Sequence, residues 1–213
     1  MNKIAPVPRR PPKPRTRSAQ REATRERIVE AALEAFAEHG FRGASTRDIA
    51  ERARTNQGLI TYHFSSKDAL WRAAADRIFG MLAKRMTEQL NALASEDPRA
   101  RAREAIRSYV RFAAGHPELF RIMVDEGKNS EPRMRWLVDT HLKPAYERFL
   151  RPRGVRITGF DDANLPHAYY VMAGAGSLIF AVAPECRRLT GLDPETDAAI
   201  EAHAEFVARL LVP

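Results

Sequence analysis

Cysteine and long apolar runs are both nearly missing from this chain of 213 residues. The one cysteine, Cys186, excludes an intrachain disulfide framework and any zinc site built from a cluster of cysteines. No stretch reaches the roughly 18 to 20 consecutive apolar residues that a membrane-spanning helix needs. No apolar segment of the signal-peptide type follows the basic start, so we expect a cytoplasmic protein without a membrane partner.

Acidic residues are also in deficit, with 27 Asp and Glu against 35 Lys and Arg, which gives a net charge of +8. Residues 1–18 hold six of the cations, five prolines and no acid. Proline at this density blocks helix formation, and little apolar surface is present to drive burial. We predict a disordered, basic arm there, and the excess charge points to a polyanionic partner.

Strand signals are scarce, and from about Ala19 onward the apolar residues recur at helical spacing. Gly40 is placed to end the first long helix, Thr46 and Asn56 to cap two short ones, and Ser65 or Ser66 to open another long one. Proline-led starts follow at residues 98, 117, 132 and 194. The pattern predicts an all-α fold of about nine helices.

Catalytic motifs are missing as well. The chain has no G-x-S-x-G, no Walker A and no H-E-x-x-H sequence, and its six histidines never fall four residues apart. The Gly174-Ala175-Gly176 segment lacks the third glycine and the preceding strand of a dinucleotide site. We therefore expect no enzyme activity, no catalytic residue, no cofactor and no metal.

What is present is a helix-turn-helix pattern at about residues 45–64, with two helices of about seven residues joined by about four. The second helix of such a pair enters the major groove of DNA. Gln57 on its outer side can read adenine, and Gly58 lets the backbone approach closely. Thr61, Tyr62 and His63 suit phosphates, as does Thr46 at the start of the first helix. The alternative interpretation is that these side chains are ordinary capping and surface residues of a helical bundle. Leu59, Ile60 and Phe64 are predicted to be core.

Residues 22–79 closely resemble the N-terminal domain of the TetR/AcrR family of bacterial transcriptional regulators. The similar segments read AFAEHGF, STRDIAERA and NQGLITYHFSSKDAL. The resemblance implies a three-helix DNA-binding domain at 19–79 and, joined to it by a long helix, an effector-binding and dimerisation domain at 80–213. It also implies a homodimer on a palindromic double-stranded operator. The positions that it places on DNA are Thr46, Arg47, Gln57, Gly58, Leu59, Thr61, Tyr62, His63 and Lys67; of these, Arg47, Gln57 and Thr61 lie nearer the bases, and Thr46, Tyr62, His63 and Lys67 nearer phosphates.

Two departures from the family pattern stand out. The turn between the two short helices usually carries Gly where this chain has Arg54, so a positive φ there would strain the backbone. The recognition-helix position that is often Tyr is Thr61 here, so the operator sequence cannot be copied from a relative.

The remaining chain indicates a dimer interface. Residues 168–183 contain no charge and predict a helix buried nearly all round, in which Ala173, Gly176 and Ser177 permit close approach. The last helix offers an apolar stripe along Ile200, His203, Val207 and Leu210 or Leu211. We predict that helices at about 166–183 and 194–211 of two subunits pack together; the alternative is core packing within one subunit.

An effector pocket is expected among the middle helices, although each candidate taken singly is more often core. The candidates are Tyr109, Phe112, Phe120, Met123, Trp136, Tyr169 and Met172. This mixture of aromatic rings and Met side chains suits a small apolar or aromatic effector. The resemblance implies control of neighbouring genes, commonly by repression that such an effector relieves, and the residues themselves do not distinguish a repressor from an activator. The competing interpretation is a helical protein that binds nucleic acid non-specifically through its basic arm.

Overall fold

The computed structural model describes residues 16–93, 97–129, 131–150 and 163–212. All regular secondary structure in these ranges is helical, so the predicted all-α fold is confirmed. The α-helices are α1 (Arg17–Gly43), α2 (Thr46–Arg52), α3 (Gln57–His63), α4 (Lys67–Ala92), α5 (Pro98–Gly115), α6 (Glu118–Gly127), α7 (Pro132–Leu137), α8 (Lys143–Ala145), α9 (Leu165–Ala181), α10 (Ala183–Thr190) and α11 (Asp197–Leu211). One π-helical turn, Val138–Leu142, joins α7 to α8, and a second, Tyr146–Leu150, follows α8, so that residues 132–150 form one continuous helical rod.

Three predicted helix starts are confirmed by side-chain caps. Asn56 caps α3, Ser66 caps α4 and Asp97 caps α5 ahead of Pro98, each by accepting a hydrogen bond from a backbone N–H of the first turn. Gly40 has φ 66°, and it interrupts α1 where a stop was predicted.

Other predicted boundaries were wrong by a few residues. Ser45 caps α2, and Thr46 is the first helical residue rather than the cap. Thr16 caps α1, so the helix begins before Ala19 and takes in part of the predicted arm; residues 1–15 lie outside the described residues. The last helix begins at Asp197 under a Thr196 cap, not at the Asp-Pro pair of residues 193 and 194.

Helix α10 was not predicted. The chain leaves α9 at Val182 (φ −115°, ψ 34°), forms the eight residues of α10 and ends it at Gly191 in the left-handed conformation. It has only eight residues and is mostly polar, so it is too short for its apolar spacing to identify it in the sequence.

Two apolar clusters hold the helices together. The larger packs α1, α2, α3 and α4 against α6 and α7, and it includes Phe36, Ile49 and Trp71, each at most 1% exposed. The second joins α5, α9 and α11 around Val110 and Val207, both fully buried. Each fully buried side chain of this size contributes about 1.5 to 3 kcal/mol to folding.

The described residues contain no single helix that is long and apolar enough to cross a membrane, although the bent pair α9 and α10, which meet at 77°, passes that test by length and composition together.

Candidate DNA interface

Capping hydrogen bonds fix the start of each helix of the helix-turn-helix. The Oγ of Ser45 accepts from the backbone N–H of Asp48 at 3.0 Å, and the Oδ1 of Asn56 accepts from that of Leu59 at 3.0 Å. Each bond satisfies a donor that the first helical turn leaves unpaired. Both short helices therefore begin at defined residues, and this fixes which side chains lie in the first turn of α3.

The turn between α2 and α3 is left-handed at Arg54. Its φ of 51° is the one positive value at a non-glycine residue in the described ranges. The next N–H, of Thr55, donates to the Ala50 carbonyl at 2.9 Å and closes the turn. The strain that the sequence led us to expect at Arg54 is thus present, because side chains disfavour this region.

Helix α3 has one buried side and one open side. Ile60 is 4% exposed and Phe64, just after the helix, is 7% exposed, so these two side chains anchor α3 on the core. Gly58 and Thr61 lie exposed on the open side. Leu59, predicted as core from the residue pattern, is 36% exposed instead, and it lies on the side that the family resemblance assigns to DNA.

A side-chain hydrogen bond joins Gln57 on α3 to Thr46 on α2. The Nε2 of Gln57 donates to the Oγ1 of Thr46 at 2.8 Å, and the hydroxyl of Thr61 donates to the Gln57 carbonyl at 3.3 Å. The base-reading and phosphate-binding candidates therefore form one unit at the start of α3. The sequence pattern placed both on the surface but did not predict this bond.

Tyr62 and His63 lie at the other end of α3, against the first turns of α1. The Arg21 guanidinium lies 5.2 Å from the Tyr62 ring centroid, and Tyr62 itself is 63% exposed. Burial, together with the charges of Arg21 and Arg25, lowers the pKa of His63, so it is neutral near pH 7. Sequence reasoning missed Arg21, because no local motif marks a residue whose partner is on another helix.

Arg47 and Lys67 differ sharply in their surroundings. The Arg47 side chain is 84% exposed and pairs with Glu51 at 3.3 Å, so it is free to reorient toward DNA. The Lys67 amine instead donates to the Arg42 carbonyl at 3.5 Å and lies 4.8 Å from the Phe41 ring centroid. Burial first, and then the charge of Arg133, lowers the pKa of Lys67.

Comparison with known proteins identifies the family. The family described as bacterial regulatory proteins, tetR family, matches residues 28–74. The HTH-type transcriptional repressor Rv3405c of Mycobacterium tuberculosis is 30% identical over 199 residues, which are 91% of this chain and 92% of that protein. The chain belongs to the TetR family. It is accordingly a DNA-binding transcriptional regulator of a family that dimerises.

Other relatives agree over shorter ranges. The HTH-type transcriptional regulator BetI of Yersinia pestis is 35% identical over 79 residues, 37% of this chain and 40% of BetI. Among solved structures, the fatty acid degradation regulator FadR of Bacillus halodurans superposes with a TM-score of 0.66 at 17% identity, over 89% of this chain and 94% of FadR. The putative regulator SCO4942 of Streptomyces coelicolor gives 0.61 at 23% identity, over 89% and 98%. These structures share the fold.

The body of this TetR-family chain contains a partly enclosed, mainly apolar cavity of about 200 Å³, here named the inner cavity. Four of the seven predicted pocket residues line it: Tyr109, Met123, Tyr169 and Met172. Burial raises the pKa of Tyr169 to about 12, so its phenol is neutral. The Tyr109 hydroxyl is committed to the Ser177 hydroxyl at 2.8 Å, which leaves the cavity mainly apolar.

The other three candidates lie elsewhere. Phe120 lines a more open groove of about 550 Å³ beside the inner cavity. Phe112 packs on the His116 ring at 4.3 Å, and Trp136 packs edge-on against Trp71 at 5.8 Å, so neither lines either space. Sequence reasoning missed His141 and Tyr146, which line the inner cavity from the two π-helical turns.

Exposed apolar side chains lie on both helices that the sequence predicts for the subunit interface, but on α11 they follow a different stripe. Helix α9 of the single chain exposes Tyr170 (74%) and Leu178 (51%), which leaves these side chains available to a partner subunit. On α11 the exposed pair is Phe206 and Leu210, at 56% and 57%, whereas Val207 is buried against α5. The stripe read from the sequence is therefore wrong at its centre.

The small residues of α9 also serve the chain's own core. A Cβ added at Gly176 would lie 2.8 Å from the Tyr109 ring, so this glycine lets α9 approach α5 of the same chain. His203 likewise hydrogen-bonds within the chain, at 2.8 Å from the Ala175 carbonyl oxygen. The predicted role of Gly176 in a contact between subunits is thus wrong.

No group of three or more His, Cys, Asp or Glu side chains that could hold a metal ion occurs among the residues that the structure describes.

Proposed function

We propose that this chain is a homodimeric repressor that binds a palindromic operator and releases it when a small apolar or aromatic molecule enters the inner cavity. The observation that carries the DNA-binding part is the two-sided character of α3. Ile60 and Phe64 anchor one side, while the bonded pair Gln57 and Thr46 is presented at the helix start on the other. Residues at that place in a recognition helix contact base edges.

The contacts are those that the family resemblance implies, and the chemistry of each side chain suits its role. Gln57, Thr61 and Arg47 read bases together with the close approach at Gly58 and Leu59, whereas Thr46, Tyr62, His63 and Lys67 contact phosphates. Because neutral His63 still has one N–H, it donates a hydrogen bond without adding charge. We place the DNA-binding domain at residues 19–79 and the effector and dimer domain at 80–213. A regulator that binds the chromosome acts in the cytoplasm.

The repressor and effector parts rest on the cavity and on named relatives. Rv3405c is called a repressor, and a FadR of Bacillus subtilis was crystallised with stearoyl-CoA. The inner cavity is lined mainly by apolar and aromatic side chains, and the phenols of Tyr109 and Tyr169 are neutral near pH 7. A volume of about 200 Å³ suits an uncharged aromatic or short aliphatic molecule.

Footprinting on the DNA that flanks the protein's own coding region tests the operator. At a stated salt concentration, the full chain should bind one palindromic segment at least about 10³-fold more tightly than random DNA of the same length. Equal affinities would instead support the non-specific alternative that uses the basic arm. Transcription in vitro from the flanking promoter should fall when the protein is added.

A panel of uncharged aromatic compounds tests the effector. A true effector should raise the midpoint of thermal unfolding and release the operator. An Ala173→Leu variant, which narrows the inner cavity, should lose both responses, whereas Leu189→Ala on the exposed side of α10 should keep them. Operator release that persists in Ala173→Leu would place the effector elsewhere.

A further inference from the structure

The ring of Phe41 contacts cations from two different parts of the molecule. The Arg133 guanidinium carbon lies 3.7 Å from the ring centroid, and the Lys67 amine lies 4.8 Å from it. Lys67 opens α4 beside the recognition helix, whereas Arg133 belongs to α7 in the body. Phe41, Lys67 and Arg133 are here named the Phe41 clamp. Contacts of a cation with a ring face are attractive, more so when partly desolvated.

Arg133 is itself held in a fixed orientation. Its side chain is 12% exposed, and its guanidinium donates to Glu126 at 3.0 Å and to Glu131 at 2.6 Å. Glu126 is 2% exposed, and Glu131 also pairs with Arg42 at 2.6 Å. Because planar guanidinium groups keep their geometry when two carboxylates bind them, Arg133 is a rigid support for the ring.

A close approach between α1 and α6 places Phe41 at this position. Gly40 has φ 66°, and a Cβ there would lie 2.7 Å from an Asp125 carboxylate oxygen. The glycine therefore permits both the turn of the backbone before Phe41 and the short distance to α6.

We propose that Phe41 holds the Lys67 amine for a DNA phosphate and that Arg133 acts through Phe41 by fixing the position of its ring, so that both are positioning residues. A lysine amine on a flexible stem loses much rotamer freedom on binding, and an amine that is already held loses less. Within the described residues the Lys67 amine contacts the Arg42 carbonyl and the ring face of Phe41, neither of which carries a negative charge. The ammonium charge thus stays available to a phosphate. The proposal rests on the phosphate contact proposed for Lys67.

The clamp also joins DNA binding to the body. The rod of residues 132–150, which begins with α7, lines the inner cavity through His141 and Leu142, and α6 lines it through Leu119 and Met123. Both ion-pair partners of Arg133 lie on α6 or just before α7. A ligand that displaces α6 or the rod therefore acts on the same groups that hold Lys67.

A double-mutant cycle on full-length protein tests the clamp. Phe41→Leu, which keeps apolar volume but removes the ring, and Lys67→Ala should each weaken binding to operator and random DNA alike, by about tenfold. Each should also lower the salt slope by about one unit per phosphate contact. The combined variant should be no weaker than Lys67→Ala alone.

Arg133→Lys keeps the charge but loses the planar contact, so it should reproduce part of the Phe41→Leu effect while the protein stays folded. The matched control is Arg72→Met. Arg72 lies on α4 with Lys67, and its guanidinium lies 4.9 Å from the centroid of the Trp136 ring. This substitution should leave both the affinity and the salt slope unchanged. Circular dichroism and thermal unfolding establish that each variant is folded.

The clamp would be overturned if the affinity losses of Phe41→Leu and Lys67→Ala multiplied in the combined variant. An unchanged salt slope in Phe41→Leu would overturn it as well. An unchanged affinity of Lys67→Ala for DNA would also overturn the clamp. If the wild type still preferred the operator over random DNA, the proposed repressor function would remain supported in that case. Conversely, a non-additive cycle on random DNA without any operator preference would support the clamp and refute the proposed function.

Discussion

Gln57 is the residue whose replacement should change sequence preference most directly. It is exposed at the start of α3, and its hydrogen bond to Thr46 holds its amide in one orientation. Gln57→Ala should relax the preference at one position of each half-site, at a cost of about 1 to 3 kcal/mol of discrimination. Affinities for a set of single-base operator variants measure this. An unchanged preference at every position would remove Gln57 from base recognition.

Arg54 should be a position where substitution stabilises the fold. Its φ of 51° costs an L-residue about 1 to 2 kcal/mol, and glycine adopts this conformation freely. Arg54→Gly should therefore raise the free energy of unfolding in urea by about 1 kcal/mol. Arg47→Gly is the matched control, because it removes an exposed arginine from helix α2 and should instead lower that free energy by about the same amount. The interpretation fails if both changes destabilise.

At the level of helices, the contact between α9 and α5 is the one most sensitive to added volume. Gly176→Leu must displace the Tyr109 ring, which is bonded to Ser177, and should lower the free energy of unfolding by about 1 to 3 kcal/mol. Gly80→Ala on α4 is the control, since nothing lies within 4 Å of its added methyl group, and it should stabilise the helix. Urea unfolding of both variants tests the assignment; an undamaged Gly176→Leu would contradict it.

Exposed apolar side chains on α11 should hold the dimer together. Phe206→Glu combined with Leu210→Glu places two charges on a surface that we expect to be buried between subunits, so the protein should sediment as a monomer at micromolar concentration. Leu189→Glu on α10 replaces an even more exposed leucine, at 77%, and should leave the dimer intact. A double variant that remains dimeric would place the interface on another face.

Helix starts were predictable because a cap is a local event. Asn56, Ser66 and Asp97 each bond to the backbone within three residues, so their sequence neighbours suffice to identify them. Ser45 and Thr46 are adjacent and chemically equivalent as caps, and only the backbone conformation decides between them.

The two faces of α11 were not predictable in the same way. Val207 and Leu211 form one apolar stripe and Phe206 and Leu210 another, next to it on the helix. Periodicity identifies both stripes but does not tell which one meets α5 of the same chain. The same limit applies to the pocket residues, since whether an aromatic ring lines a cavity or fills the core depends on helices distant in sequence.

The charge distribution along the whole chain suggests that the basic arm adds affinity for DNA, whereas the DNA-binding domain sets the sequence preference. Residues 19–70 hold eight cations and eight acids, whereas residues 1–15 hold five cations and no acid. Removing residues 1–15 should leave the dimer and its preferred sequence unchanged while lowering affinity and the salt slope. Titrations at several salt concentrations measure both quantities. Unchanged values would make the arm a solubilising tail.

The length of α4 gives small movements in the body a large effect at the DNA. Lys67 opens this helix, and Met86, which lines the inner cavity, lies 19 residues further along it. At 1.5 Å per residue the helix is a lever of about 28 Å between the two. A tilt of about 5° about Met86 would move Lys67 by about 2.5 Å, which is enough to break a hydrogen bond to a phosphate. Under the proposed function, a ligand would need to shift few atoms at the cavity to end the phosphate contact proposed for Lys67.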